Sequence, residues 1–305
     1  MWIKEPGKVN DNLDFLGTYD NCVYVLKGDE YMIIGGGIAA IAPTLERQLS
    51  TLQLEPEKVK YLLITHSHFD HCGAVPYFKQ KFPHLKIIAS AYAAELLVKE
   101  KVIDTITQFN KRIIDLKGLQ AEYEKLNLQF KGIEVDHIVK ENDIIELGDE
   151  INVHIVEAPG HTKCSIAVYV PKLQALFPSD SLPLPSGSGD QPILLPSPQY
   201  SYSMFLNTVE KLSNYEIKIC GFEHQGVFTG EQAKQLVLEG LNETISYKNS
   251  IVEMYNQLHD IDRITQHYVL ESMQKRPADS LDENALTMVC KSEIKSVLRD
   301  AGLID

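Results

Sequence analysis

Six consecutive residues, His66-Ser67-His68-Phe69-Asp70-His71, constrain this chain more than anything else in it. They hold three imidazoles and a carboxylate, and they follow directly on the apolar run Tyr61-Leu62-Leu63-Ile64. A core histidine is usually solitary, and a solvated surface has no reason to alternate His in this way. If the chain leaves its strand extended, His66 and His68 project to the same side. Asp70 and His71 then diverge from them, so four ligands can serve two neighbouring metal ions. Cys72 follows at once, but the tetrad already supplies the donors and Cys72 is read as a bystander.

The rest of the chain reads as strands and helices arranged to meet that stretch. Leu13–Leu16, Asn21–Leu26 and Tyr31–Ile34 form an antiparallel meander. Gly35-Gly36-Gly37 makes a tight turn into a helix over Ile38–Leu52; it lacks the following Lys-Ser/Thr of a phosphate loop. A helix over Val75–Phe82, a strand over Leu85–Ala89 and a long helix or broken pair over Ala91–Leu116 follow. Strands return at Val135–Val139, Ile144–Leu147, Ile151–Val156, Ser165–Val170, Ala175–Phe177 and Ile217–Phe222. Three of these end in a potential ligand: His161 in Ala158-Pro159-Gly160-His161-Thr162, Asp180 in Pro178-Ser179-Asp180, and His224 in Glu223-His224-Gln225-Gly226. His154 lies within a strand alternation and is expected on a strand face.

The Pro-, Ser- and Gly-rich segment 181–203 carries enough apolar residues to pack, and it is expected to face the substrate. Beyond Thr229, a plausible N-cap, the chain is helical: Glu231–Leu258, Ile261–Lys275 and Glu283–Ala301, the last two divided by Arg276-Pro277-Ala278-Asp279 and the last stopped by Gly302. His259 and His267 in this tail are read as structural or surface residues. The expected domains are 1–230, carrying the site and a helical insertion at about 91–128, and 231–305, helices packing on it near the site mouth.

Composition narrows the partners. Acidic residues outnumber basic ones, 42 to 29, giving a net charge of −13, which disfavours nucleic acid and acidic membrane surfaces. No stretch has the apolar length of a membrane span, and the start of the chain lacks the pattern of a signal peptide. The five cysteines are scattered and odd in number, as in a reduced, cytoplasmic protein. A homodimer is compatible with the sequence, as is a protein partner if the role is regulatory.

Five imidazoles (His66, His68, His71, His161, His224) and two carboxylates (Asp70, Asp180) suit two divalent transition-metal ions, zinc, iron or manganese, better than calcium or magnesium. One position takes His66, His68 and His161; the other takes Asp70, His71 and His224; Asp180 bridges. Such a pair generates a hydroxide at neutral pH that attacks an ester, thioester, lactone, amide or phosphate, and Asp70 can accept a proton from the nucleophile.

With these residues the chain resembles the metallo-β-lactamase-fold hydrolases, whose signature His-x-His-x-Asp-His is spelled by residues 66–71 and followed in order by His161, Asp180 and His224. The resemblance implies a mixed α/β (α+β) four-layer αββα sandwich with the dimetal site at one edge, and here a C-terminal helical extension. Gly36-Gly37-Ile38, Leu63-Ile64-Thr65-His66, Asp70-His71-Cys72-Gly73 and Pro76-Tyr77 further resemble a thioesterase of that family acting on acyl-coenzyme A, so a small-molecule acyl substrate is expected. A lactonase or glyoxalase-II-like hydrolase is the alternative within the same chemistry. A regulatory or interaction protein that keeps the metal site is the alternative outside it. Two positions depart from the family pattern. Ser179 stands where a glycine usually precedes the bridging aspartate, and Glu223-His224-Gln225 stands for the usual Gly-His-Gly. Both changes put bulk beside the metals, and Glu223 adds charge.

Overall fold

Apolar residues along the strands alternate between two faces, and both faces are buried. The computed structural model describes residues 1–52, 54–187, 189, 191–275 and 283–305. After β1 (Trp2–Ile3), an antiparallel meander runs through β2 (Gly7–Asn10), β3 (Leu13–Gly17), β4 (Cys22–Lys27) and β5 (Tyr31–Ile34). Then come α1 (Ala42–Thr51), β6 (Val59–Leu63), α2 (Phe69–Cys72), α3 (Val75–Lys81), β7 (Lys86–Ser90), α4 (Ala91–Leu97), α5 (Glu100–Leu116), α6 (Gln120–Glu124) and β8 (His137–Val139). The strands β5 to β8 are parallel neighbours, completing a seven-stranded sheet in the order β2-β3-β4-β5-β6-β7-β8.

The second half supplies β9 (Ile144–Glu146), β10 (Asn152–Glu157), β11 (Ile166–Val170), β12 (Ala175–Phe177), the hairpin β13 (Leu184–Ser186) and β14 (Ile193–Leu195), α7 (Tyr202–Ser213), β15 (Ile219–Gly221) and β16 (Val227–Thr229). Its sheet has the order β1-β16-β15-β12-β11-β10-β9, so the first strand of the chain joins the last. The tail is α8 (Glu231–Leu258), α9 (Ile261–Lys275) and α10 (Glu283–Asp300).

The burial pattern shows why these elements stack in four layers. Leu13, Phe15, Tyr24, Leu26, Met32 and Ile34 of the first sheet pack against Val153, Ile155, Ile166, Val168 and Phe177 of the second. The intervening residues Leu16, Val23, Val25 and Ile33 turn outward, onto Leu45, Val75, Phe78 and Ile106 of the helices. On the far side, Val156, Ala167, Leu176 and Cys220 meet Phe205, Val209, Leu236 and Val237 of α7 and α8. Strands buried on both faces are what a helix-covered sheet requires. A further cluster joins Tyr202 of α7 to Ile251, Ile264, Tyr268, Leu286, Ile294 and Val297 of α8, α9 and α10. The expected αββα sandwich with C-terminal helices is thus the observed fold.

Several local expectations are corrected. Thr229 is not the N-cap of α8: it ends β16, where it is bonded to Met1, and Gly230 at φ 66° makes the turn into the helix. The helix after the glycines begins as a 3-10 turn, Ala39–Ile41, before α1. Ala91–Leu116 is the broken pair α4 and α5, interrupted where Lys99 turns extended. The helix α7 and the hairpin β13–β14 were not expected from the Ser- and Pro-rich run. Gly302 does stop α10: its N–H bonds to Arg299 and that of Leu303 to Leu298, a Schellman closure. The divider Arg276-Pro277-Ala278-Asp279 lies outside the described residues. All five cysteines are buried and none forms a disulfide, and no helix among the described residues is long and apolar enough to cross a membrane.

Candidate metal centre

The four strands that carry site residues end at one edge. β12 and β15 are parallel neighbours, and β10 runs the same way through antiparallel β11. Their carboxyl ends therefore deliver His161, Asp180 and His224 side by side. β6 ends on the facing sheet, and the Ile166 N–H bond to the Thr65 carbonyl, 2.9 Å, clasps the two sheets at this point. The chain bends through His66 to His68, and His68, itself extended, is the N-cap of the single turn α2 that carries Asp70 and His71. Gly160 lets the backbone before His161 pass against α7: a Cβ there would sit 2.3 Å from Phe205 Cα.

The structure brings all seven predicted residues together. Ligand atoms within 4.8 Å of one another define three overlapping trios: His66, His68 and His161; His66, His71 and Asp180; Asp70, His71 and His224. The first and last are the two predicted positions. Asp180 lies between them, its Oδ2 3.4 Å from both His161 Nε2 and His71 Nε2, and its Oδ1 3.7 Å from His224 Nε2. His154, His259 and His267 belong to none of these trios, and the Cys72 thiol is turned to the His68 carbonyl.

Each of four imidazoles has its second nitrogen held from behind. His161 Nδ1 donates to the Ser197 carbonyl at 2.8 Å, His224 Nδ1 to the Asp20 carbonyl at 2.7 Å, and His71 Nδ1 to Glu223 Oε2 at 2.8 Å. His66 Nδ1 meets Ser179 Oγ at 3.3 Å. Such partners fix the tautomer and leave the other nitrogen's lone pair for a metal.

The residues fit a pair of cations on three observations. His66 Nε2 and Asp180 Oδ1 are buried without a hydrogen-bond partner. His224 Nε2 and His71 Nε2 meet at 3.1 Å with both Nδ1 atoms bonded to oxygen acceptors, a pairing that a metal ion or a proton between them satisfies. His161 Nε2 and His68 Nδ1 are likewise 3.1 Å apart, and two nitrogens on one tetrahedral zinc would be about 3.3 Å apart.

Charge is distributed unevenly. Burial, reinforced by the neighbouring His71 and His68, pushes the His66 imidazole well below its usual range; burial and His161 push His68 down to about 4. Burial lowers His161 as well. Burial also opposes charge on His71, but Asp180, Asp70 and Glu223 outweigh it and hold His71 well above the ordinary imidazole range. Asp180 is held well below the carboxylate range by His71, His224 and His161 against the cost of its burial. The first trio is thus presented as neutral bases, while the second faces concentrated carboxylate charge.

The centre forms the floor of a cavity of about 710 Å³. Its walls are one face of α5 (Val102, Ile106, Phe109, Ile113), one face of α10 (Ala285, Met288, Val289, Ser292) and the hairpin region (Leu184, Leu195). Segment 181–203 therefore does face the site, and of the tail helices α10 lines it. Ser197, Glu293 and Asp20, which support the candidate ligands, carry no sequence signal: one acts through its carbonyl and its hydroxyl, one from the far end of the chain, one through its carbonyl alone.

Residues 17–224 match the model of the metallo-beta-lactamase superfamily. The metallo-beta-lactamase fold-containing protein ST1585 of Sulfurisphaera tokodaii is 25% identical over 174 residues, 56% of this chain and 62% of that protein. A hydroxyacylglutathione hydrolase of Rhodopseudomonas palustris is 26% identical over 148 residues, 48% of this chain and 44% of that enzyme. The chain thus matches less than two thirds of the length of either relative. Among solved structures, the metallo-beta-lactamase family protein TTHA1429 from Thermus thermophilus superposes with a TM-score of 0.67 at 16% identity, covering 97% of this chain and 95% of that one. The ST1585 structure gives 0.58 at 20% identity, covering 76% and 85%. At these identities the superpositions speak for the fold.

Proposed function

Because the chain belongs to the metallo-beta-lactamase superfamily, we propose that it is a dimetal hydrolase of a thioester or related acyl ester. His66, His68 and His161 would hold one divalent transition-metal ion and Asp70, His71 and His224 the other, with Asp180 lying between the two trios. Zinc, iron and manganese all suit this donor set. When bound, such a pair supplies a hydroxide nucleophile at neutral pH and polarises the scissile carbonyl.

The chain's own residues do the rest. The neutral His66, His68 and His161 present lone pairs without first losing a proton. Asp70, at the cavity floor with its Oδ2 3.5 Å from His224 Nε2, is the carboxylate placed to take a proton from the nucleophile. The α5 and α10 faces bury an apolar acyl group and keep bulk water from the reacting carbon. Exposed Lys101, Lys117 and Lys163 among the lining residues offer charge to an anionic leaving group.

The observation that carries this reading is the placement of Asp180 between two histidine-containing trios beneath a large, mostly apolar cavity. The hydroxyacylglutathione hydrolase relatives support an acyl thioester, as does the resemblance of residues 36–38, 63–66, 70–73 and 76–77 to the quinolone-signal response thioesterase PqsE. The test is a hydrolysis screen on metal-analysed protein with coenzyme A thioesters, S-lactoylglutathione, lactones and phosphodiesters. Turnover of a thioester is expected. Fewer than about one ion per chain, or no turnover in any class, overturns the proposal.

A further inference from the structure

Beneath the metal floor runs a line of hydrogen bonds that includes both departures from the family pattern. Thr65 Oγ1 donates to Glu223 Oε1 at 2.5 Å, and Ser179 Oγ donates to Thr65 Oγ1 at 2.9 Å. The Ser179 hydroxyl has thus spent its only proton, so at its 3.3 Å contact with His66 Nδ1 it accepts. At the other end Glu223 Oε2 accepts from His71 Nδ1 at 2.8 Å. The direction of every bond is fixed: His66 gives to Ser179, Ser179 to Thr65, Thr65 to Glu223, and His71 also to Glu223. The bonds commit the Nδ1 proton of each imidazole, so that Nε2 is the atom turned to the candidate ion position. His66 belongs to one candidate ion position and His71 to the other.

The surroundings are built for this line. Thr65 and His66 are wholly buried, Ser179 is 1% exposed and Glu223 3%. Gly35, at φ 85°, is where the Glu223 side chain passes: a Cβ there would lie 2.7 Å from Glu223 Oε2. Ser179 and Gln225 stand at φ 52° and 66°, in the left-handed region that favours glycine. For non-glycine residues that conformation costs about 1 kcal/mol or more each. The cost is retained where Ser179 enters the line and where Gln225 follows the turn bearing Glu223.

We propose that Ser179, Thr65 and Glu223 are positioning residues that lock His66 to His71, so that the two ion positions are set, and filled, as one unit. This rests on the reading that the seven residues hold two ions. Glu223 contributes a buried negative charge behind His71, which strengthens that imidazole as a donor. Thr65 Oγ1 bonds to Glu223 and Ser179 rather than to either imidazole and serves as the link.

The test is titration of the chelator-stripped full chain with zinc, followed by calorimetry, and with cobalt, followed by visible absorption. The wild type is compared with Glu223→Gln, Ser179→Ala, their double variant, Thr65→Val and Thr65→Ser, each checked for folding by circular dichroism. Glu223→Gln and Ser179→Ala are each expected to weaken binding by about 10- to 100-fold. The double variant should lose far less than the product of the two. Thr65→Val should weaken both positions, and Thr65→Ser should restore them. Strict multiplicativity of Ser179→Ala and Glu223→Gln, or affinities for both ions within about twofold of wild type in each, overturns the proposal. That cycle decides alone if Thr65→Val does not fold. A wild-type chain that binds no ion instead overturns the underlying metal reading.

Discussion

Ser197 Oγ donates a 2.6 Å hydrogen bond to Glu293 Oε1, joining residues 96 positions apart. Glu293 lies on α10 and is 4% exposed; its Oε2 accepts from the Tyr247 hydroxyl of α8 at 3.1 Å. Because the Ser197 carbonyl holds His161, the helical tail braces a candidate ligand. Glu293→Ala leaves the buried Ser197 hydroxyl and the partly buried Tyr247 hydroxyl without this acceptor. We expect it to cost about 2–3 kcal/mol and to loosen metal retention. Thermal melting and metal content check this; a variant unchanged in both refutes the brace.

Chelation should destabilise the fold. An ion held at a thousandfold excess over its Kd contributes about 4 kcal/mol, on the order of 10 °C in Tm for a chain of this size. His68→Ala and His71→Ala should each lower the metal content from about two ions and abolish turnover. Variants that keep full metal content refute the ligand assignment.

The stripped protein should weaken in acid. His68 titrates near 4 in the folded chain against 6.5 when exposed, and His66 and His161 are shifted the same way. Between those values the unfolded chain binds more protons, so stability falls as pH falls. His71 is shifted upward and works oppositely: its contribution is present in acid and disappears as pH rises above 6.5 through its folded pKa. Three imidazoles against one set the sign. Melting of the stripped chain from pH 7 to 4 should show a falling Tm; a rise would contradict it.

Gly160→Ala should disrupt the site from outside it. The new Cβ would meet Phe205 Cα at 2.3 Å and its nitrogen at 2.4 Å, both backbone atoms. With φ at 139° as well, a loss of roughly 3 kcal/mol or more is expected, together with loss of His161 as a ligand. Wild-type melting and metal content would show that the loop absorbs the change.

Met288 lines the cavity from α10 and is 68% exposed, so Met288→Trp should fold normally. It is expected to lower kcat/KM for long-chain acyl thioesters by about tenfold, on the scale of one to two methylenes' worth of pocket. Turnover of an acetyl thioester should hold. Equal loss on both substrates would place the acyl group elsewhere.

The site was legible where short-range spacing carries it: residues 66–71 are six in a row, and His161, Asp180 and His224 each sit just past a strand's end. Most of the strands were legible for the same reason. Supporting contacts were not, because Ser197 and Asp20 act through main-chain atoms and Glu293 reaches the site only by tertiary packing. The apolar spacing Tyr202, Phe205, Val209 and Leu212 of α7 was masked by the serines leading into it. Thr229 has the chemistry of a cap, yet pairing with the first strand claimed it.

The candidate ligands span positions 66 to 224, and this has a temporal consequence. A ribosome adding about 5–20 residues per second needs roughly 8–30 s to travel from His71 to His224. Over that interval the first four donors are already made while the set of seven is incomplete, with His161 and Asp180 added before His224. The nascent segment then carries candidate donors without the pocket that would arrange them. Whichever ion is abundant where the chain is made therefore meets the half-built site before the fold can discriminate.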